Sequence, residues 1–299
     1  MLSLHGKRVV IFGCGYVGSA VARSALEAGA RVEALTRNPA KAAALYALGL
    51  DKVTTAELSS STWHAEIEGG ADAVVNCVSA GGSPDGYRQS YVEGMKSILA
   101  WAGGGRQPVD TLIYTSSTSV YPQDDGVEID EACPAEGATP NGRIIRESES
   151  LLENAPEAAC RRWFILRLAG IYGPGRHHLL TQLRDGAAAL GGDGSYHLNL
   201  IHRDDIAAAI LSCLTAPAGV RNEIFNVADA APARREEVVR WLAEKLGRGM
   251  PEFDGQPGER RSGVPMPDRR IANGKIRRML GWWPKFPDYR AGYEAIMSR

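Results

Sequence analysis

Apolar residues in the first third of the chain come in short blocks separated by stretches of helical spacing. Val9–Phe12 is an unbroken apolar run, too short for a helix and closed by glycine, which reads as a buried strand. An alanine-rich helical pattern follows Gly18 and stops at Gly29, and Val32–Leu35 opens a second strand. Pro39–Leu48 reads as a helix, Val53–Leu58 as a short strand, and Trp63–Ile67 as helical. Ala71–Ser79 is a buried strand ending in small residues. Tyr87–Trp101 reads as a helix, and Val109–Ser117 and Trp163–Leu168 as further strands. Strands alternating with helices predict a Rossmann-type α/β fold, a doubly wound parallel sheet with ligands at the carboxyl ends of its strands.

Beyond about residue 170 the alternation loosens. Gly173-Pro174-Gly175, Gly191-Gly192 and Pro251–Pro267 are turn-rich, as suits a smaller C-terminal α/β cap. The expected division is a dinucleotide-binding domain over 1–170, with later returns near 199–230, and a mostly substrate-binding cap over 171–299.

The junction of the first strand and helix carries the first chemistry. In Gly13-Cys14-Gly15-Tyr16-Val17-Gly18, Gly13 permits the tight turn, Gly15 lets backbone N–H groups approach a pyrophosphate, and Gly18 lets helix and strand pack closely. Gly13, Gly15, Tyr16, Val17 and Gly18 form the expected pyrophosphate cradle, at a helix terminus whose free N–H groups and dipole favour an anion. The second strand runs into Thr36-Arg37. An enzyme using NAD usually places an acid there for the ribose 2′-hydroxyl, whereas an arginine binds a 2′-phosphate through charge-assisted bonds. The expected cofactor is NADP, with Thr36 and Arg37 as its discriminating contacts. Glu57, and Val78 and Ser79 at the end of the next strand, complete the expected cofactor residues.

Composition narrows the remaining classes. Hydrophobic content of 44% and charged content of 23% suit a globular enzyme, and a net charge of −1 over 299 residues argues against nucleic-acid or anionic-membrane partners. No apolar run approaches the ~20 residues that span a bilayer. The five cysteines are odd in number and never spaced CxxC, and His177-His178 lacks metal-site spacing, so no disulfide framework and no metal is expected. The first strand begins close to Met1, leaving no room for a targeting peptide, and a cytoplasmic protein is expected.

These residues resemble the extended short-chain dehydrogenase/reductases, the NAD(P)-dependent epimerase/dehydratase family, and particularly its atypical branch. The resemblance spans about residues 8–295. It is carried by GCGYVG (Gly13–Gly18), TSSTSVYP (Thr115–Pro122), LRLAGIYGPGR (Leu166–Arg176), IHRDDIA (Ile201–Ala207), EIFNVAD (Glu223–Asp229) and LGWWPKFPDYRAGYEAI (Leu280–Ile296). It implies a Ser or Thr that hydrogen-bonds the reacting oxygen, a Tyr in YxxxK that transfers the proton, and a Lys that lowers that Tyr's pKa.

Ser117 matches the Ser position. Aligning Glu149 with the acid usually four residues after the Lys puts Asn141 at the Tyr position and Ile145 at the Lys. In any register the pair is absent, because no tyrosine lies between Tyr121 and Tyr172 and no lysine between Lys96 and Lys245. An asparagine amide donates a hydrogen bond but relays no proton at neutral pH. The candidate catalytic residues are therefore Ser117, Asn141 and Tyr121, with a water, Tyr121 or the substrate moving the proton. Tyr172 and His202 are read first as structural, His202 ordering the turn before a helix at Asp204–Ala209.

Two functions stay open. One is an NADP-dependent oxidoreductase or epimerase-like enzyme acting on a carbonyl or hydroxyl of a small polar substrate, possibly a nucleotide sugar. The other is a catalytically silent NADP(H)-binding sensor. The arginines and lysine between Arg260 and Arg278 are a solvated basic surface, partners in salt bridges to the acidic Gln123–Glu136 region, or a clamp for a nucleotide diphosphate. The chain is expected to be a monomer or a homodimer.

Overall fold

A computed structural model describes residues 3–80, 83–255 and 266–298. Its centre is a seven-stranded parallel sheet. The first half supplies β1 (Arg8–Phe12), β2 (Arg31–Thr36), β3 (Lys52–Thr55), β4 (Ala73–Asn76) and β5 (Val109–Ser117). After a short outlying strand, β6 (Val127–Ile129), β7 (Cys160–Leu168) extends the sheet. Four more short strands follow: β8 (Gly170–Tyr172), β9 (Ala189–Leu190), β10 (His197–Leu198) and β11 (Leu200–His202). The chain then returns to the sheet edge with β12 (Glu223–Val227) and closes with β13 (Ala233–Arg234), β14 (Glu252–Phe253) and β15 (Arg269–Ile271).

The sheet order β12-β7-β5-β4-β1-β2-β3 reverses direction between β1 and β4. That reversal makes a crevice at the carboxyl ends of the two strands, the usual ligand position in such sheets. The short strands form four pairs: β8 with β11, β9 with β14, β10 with β13, and β6 with β15.

Helices cover both sheet faces: α1 (Tyr16–Glu27), α2 (Pro39–Leu48), α3 (Pro84–Arg88), α4 (Gly94–Gly103) and α5 (Pro140–Glu153) in the first half. Then come α6 (His178–Arg184), α7 (Arg203–Leu214), α8 (Arg235–Lys245), α9 (Gly274–Leu280) and α10 (Tyr289–Met297). Alternation along β1 shows why its apolar run is unbroken. Val9 and Ile11 join one core with Val21 of α1 and Ile206 of α7, while Val10 and Phe12 join another with Trp63 and Met95. A third, smaller core gathers Leu180, Leu183, Val238, Leu242, Tyr289 and Tyr293 from α6, α8 and α10.

Two expected elements differ. Trp63–Ile67 is a single 3₁₀ turn, Thr62–Ala65. The Trp63 side chain fixes it there: the indole N–H donates to Leu58 O at 3.0 Å and the ring packs 4.8 Å from Phe12. The single helix expected over Tyr87–Trp101 is instead α3, one π turn (Gln89–Glu93) and α4. Gly94 follows the π turn where a Cβ would lie 3.0 Å from the Leu58 side chain, so a larger residue there would have to push that side chain aside. π turns inside helices often mark functional sites. No helix among the described residues is long and apolar enough to cross a membrane.

Candidate active site

The three glycines of the first turn have different surroundings. Gly13 has φ +80°, and a Cβ there would lie 2.6 Å from the Val78 backbone, so the ends of β1 and β4 touch at the crevice. A Cβ on Gly18 would lie 2.6 Å from Gly13 O, which holds α1 close to β1. At Gly15 nothing comes nearer than 4.0 Å, where Gly13 O and Lys41 Nζ sit. α1 starts on Gly15 with no side-chain cap and no acidic residue in its first turn. An open approach to uncapped N–H groups is what a pyrophosphate requires.

This turn forms one end of a groove of about 610 Å³. Of the expected cofactor residues, Gly13, Gly15, Thr36, Arg37, Glu57, Val78 and Ser79 line it. Tyr16, Val17 and Gly18 do not. Val17 points into the core, and the Tyr16 hydroxyl donates to Pro174 O at 3.1 Å while Arg176 and Arg203 lie over its ring. Thr36 is buried, and its Oγ1 accepts from Asn38 N. Arg37 projects outward, with Nη1 3.8 Å from Glu57 Oε2. Lys41 also lines the groove and was not anticipated from sequence. Cys14 and Cys77 line it too, but burial pushes both thiols up, Cys14 to about 12, so neither is a ready nucleophile.

A second cavity, about 300 Å³, brings together Ser117, Asn141 and Ile145, with Tyr87 and Tyr91 beside them. Ser117 ends β5, and its Oγ accepts from Ser119 N at 3.1 Å, an arrangement that keeps the hydroxyl hydrogen for a second partner. Asn141 enters on the first turn of α5, which Thr139 caps by accepting from Gly142 N at 3.0 Å. A Cβ on Gly142 would lie 2.5 Å from Ser119 O, and this bare contact lets the helix end press against the Ser117 turn. Two turns further along α5, Glu149 is fully buried. It accepts from Ser116 Oγ at 2.5 Å and from Arg167 Nε and Nη2 at 3.0 and 2.8 Å.

Comparison with known proteins gives the family and the fold. The family model for the NAD dependent epimerase/dehydratase family matches residues 9–228. The chain belongs to that family. It is 30% identical over 286 residues to protein YeeZ of Escherichia coli K12, covering 94% of this chain and 97% of that one. A functionally unknown conserved protein from Silicibacter pomeroyi shares its structure with a TM-score of 0.77 at 25% identity, covering 98% of each chain. MoeE5, solved in complex with UDP-glucuronic acid and NAD, has the same fold with a TM-score of 0.82 at 21% identity, covering 97% of this chain and 98% of that one.

Within this epimerase/dehydratase framework one expectation needs correction. Tyr121 is fully buried and does not line the cavity of Ser117 and Asn141. Its hydroxyl donates to Asn226 Oδ1 at 2.8 Å and accepts from Arg167 Nη1 at 2.9 Å. Burial raises its pKa, with Arg167 pulling the other way. A phenol with both bonds committed inside the core holds the sheet together and does not reach a substrate.

His202 caps α7, its Nδ1 accepting from Asp204 N at 3.2 Å, and Tyr172 packs on His202 and Tyr293. The basic cap residues are largely engaged. Arg269 is buried and donates to the carbonyls of Thr118, Tyr121 and Gln123, Arg270 to Gly126 O, and Lys275 pairs with Glu223 at 2.8 Å. Arg277 stacks on the Trp283 ring at 3.5 Å. Arg260 and Arg261 lie outside the described residues, as do residues 256–265 of the turn-rich Pro251–Pro267 segment.

Proposed function

We propose that this chain is an NADP-dependent oxidoreductase of the epimerase/dehydratase family, acting on a carbonyl or hydroxyl of a small polar substrate. The observation that carries the cofactor choice is the pairing of buried Thr36 with outward Arg37 at the end of β2, in the groove that starts at Gly15. Lys41 reaches toward the same glycine turn and adds a second positive charge. The open approach at Gly15, the uncapped start of α1 and this pair of cations fit a phosphorylated dinucleotide. Bound there, the dinucleotide supplies a two-electron hydride carrier.

The chain's own residues supply position. Ser117 orients the reacting oxygen through its hydroxyl hydrogen, and Asn141 donates a supporting amide hydrogen bond from the adjoining start of α5. Ile145 leaves that wall without the cation that would acidify a phenol. Calorimetric titration with NADPH and, separately, NADH tests the reading. Tenfold or greater preference for NADPH is expected, and equal affinity would remove the case for Arg37.

A further inference from the structure

With Tyr121 buried and no tyrosine at position 141, the reading above lacks a source for the proton. The segment after β4 supplies one. Gly86, Gln89 and Ser90 line the groove that starts at Gly15, while Tyr87 and Tyr91 line the cavity of Ser117 and Asn141. One helical segment is thus the wall between the two cavities, and its two tyrosines face the substrate side. Spacing of four residues puts them on one face, rings 5.3 Å apart.

The two hydroxyls are not equivalent. Tyr91 is largely buried, and its oxygen accepts from Ala80 N at 3.4 Å. Tyr87 is half-buried, and among the described residues its hydroxyl has no protein partner. Both phenols keep their hydrogen, but Tyr87 is the one whose oxygen no protein group among the described residues holds, so it is the freer to turn toward a substrate.

We propose that Tyr87 is the proton donor of this site, working in the direction of carbonyl reduction. This rests on the cofactor reading above. Reduction adds a hydride, with its electron pair, to the carbonyl carbon and a proton to the oxygen. The hydride comes from a dihydronicotinamide, which is left oxidised as the pyridinium. The proton comes from the Tyr87 O–H bond, which breaks as the new O–H bond forms, and water then reprotonates the phenolate. A phenol (pKa ~10) carries its proton at neutral pH and gives it readily to a developing alkoxide, but it takes a proton from an alcohol only as phenolate, a form that is scarce at that pH unless a cation acidifies the phenol. Ser117 holds the oxygen while Tyr87 delivers the proton from the wall facing the cofactor groove. Ile145, which denies a phenol at position 141 its cation, therefore costs the reductive direction little.

The test places 3,5-difluorotyrosine at position 87 and follows its ionisation by ¹⁹F NMR in the complexes with NADP⁺ and with NADPH. The pyridinium is cationic and the dihydronicotinamide neutral, so a phenol beside that ring ionises about one pH unit or more lower with NADP⁺. Alongside it, Tyr87→Phe is compared with the unaltered protein in NADPH-dependent reduction of DL-glyceraldehyde. A loss of about 10²-fold or more, with NADPH affinity and melting temperature kept, is expected. Identical ionisation in the two complexes, or equal rates in the two proteins (zero in both included), would overturn the inference alone. Failure of the unaltered protein to bind NADPH would overturn the cofactor reading, and this inference with it.

Discussion

Arg37 and Glu57 face each other at 3.8 Å across the groove, both side chains more than half exposed. An exposed pair of this kind contributes ~0–1 kcal/mol, whereas an arginine on a phosphate contributes ~1.5–3 kcal/mol. The phosphate wins the exchange. Arg37→Ala is expected to weaken NADPH binding by about 10- to 100-fold and leave NADH binding unchanged. Glu57→Gln frees the guanidinium and is expected to tighten NADPH by up to about fivefold. Calorimetry on the two variants checks both, and equal losses for NADPH and NADH in Arg37→Ala would count against the assignment.

Gly15 and Gly18 separate cofactor binding from stability. A methyl group at Gly15 enters open space, so Gly15→Ala is expected to fold and to lose cofactor affinity at least tenfold. At Gly18 the methyl meets Gly13 O at 2.6 Å, and Gly18→Ala is expected to destabilise the fold by about 1–3 kcal/mol. Urea midpoints with and without NADPH distinguish the two, and a large midpoint loss in Gly15→Ala would contradict the open approach.

Tyr121→Phe tests whether that residue is structural. Removing the hydroxyl leaves Asn226 Oδ1 and Arg167 Nη1 short of a partner inside the core. The expected cost is about 1–3 kcal/mol of stability with cofactor affinity intact. A variant as stable as the parent but slower in turnover would return Tyr121 to the chemistry.

Asp229 makes stability depend on pH. It is 2% exposed, and burial, reinforced by Asp288 and Asp205, raises its carboxyl to about 7. The unfolded chain titrates near ~3.9, so the native state holds this proton more tightly. The contribution is complete below ~4 and is lost as pH rises through about 7, on the order of 2–4 kcal/mol in all. Asp229→Asn keeps an acceptor for Ala231 N and removes the titration. The variant is expected to match the parent near pH 4 and exceed it in stability at pH 8. Urea unfolding across that range decides the matter, since a difference independent of pH would rule Asp229 out as its source.

The sheet and the glycine turn were readable in the sequence because both are local. The apolar run at Val9–Phe12 has to be buried on both faces, and the Gly18 contact with Gly13 O lies within one strand–turn–helix unit, although the Gly13 contact with the Val78 backbone does not. The place of Arg37 was readable for the same reason, since it directly follows a strand next to the turn. Tyr121 was not, because the two groups that claim its hydroxyl lie 105 and 46 residues away. Lys41 was missed because its reach to Gly15 depends on how α2 lies over the turn. Tyr87 was hidden by the π turn after it, which divides what reads as a single helix and leaves Tyr87 and Tyr91 lining the cavity of Ser117 and Asn141.

Asn141, Ile145 and Glu149 follow one another at intervals of one turn along α5, the first two on the cavity and the third anchored by Arg167 and Ser116. The buried end of the helix is held in place, and the departure from the pair that the family resemblance implies lies in two side chains at the cavity wall. Such a departure is reversible. Asn141→Tyr with Ile145→Lys would put the tyrosine–lysine pair that the resemblance implies onto this helix, making the chain a background for measuring what that pair adds.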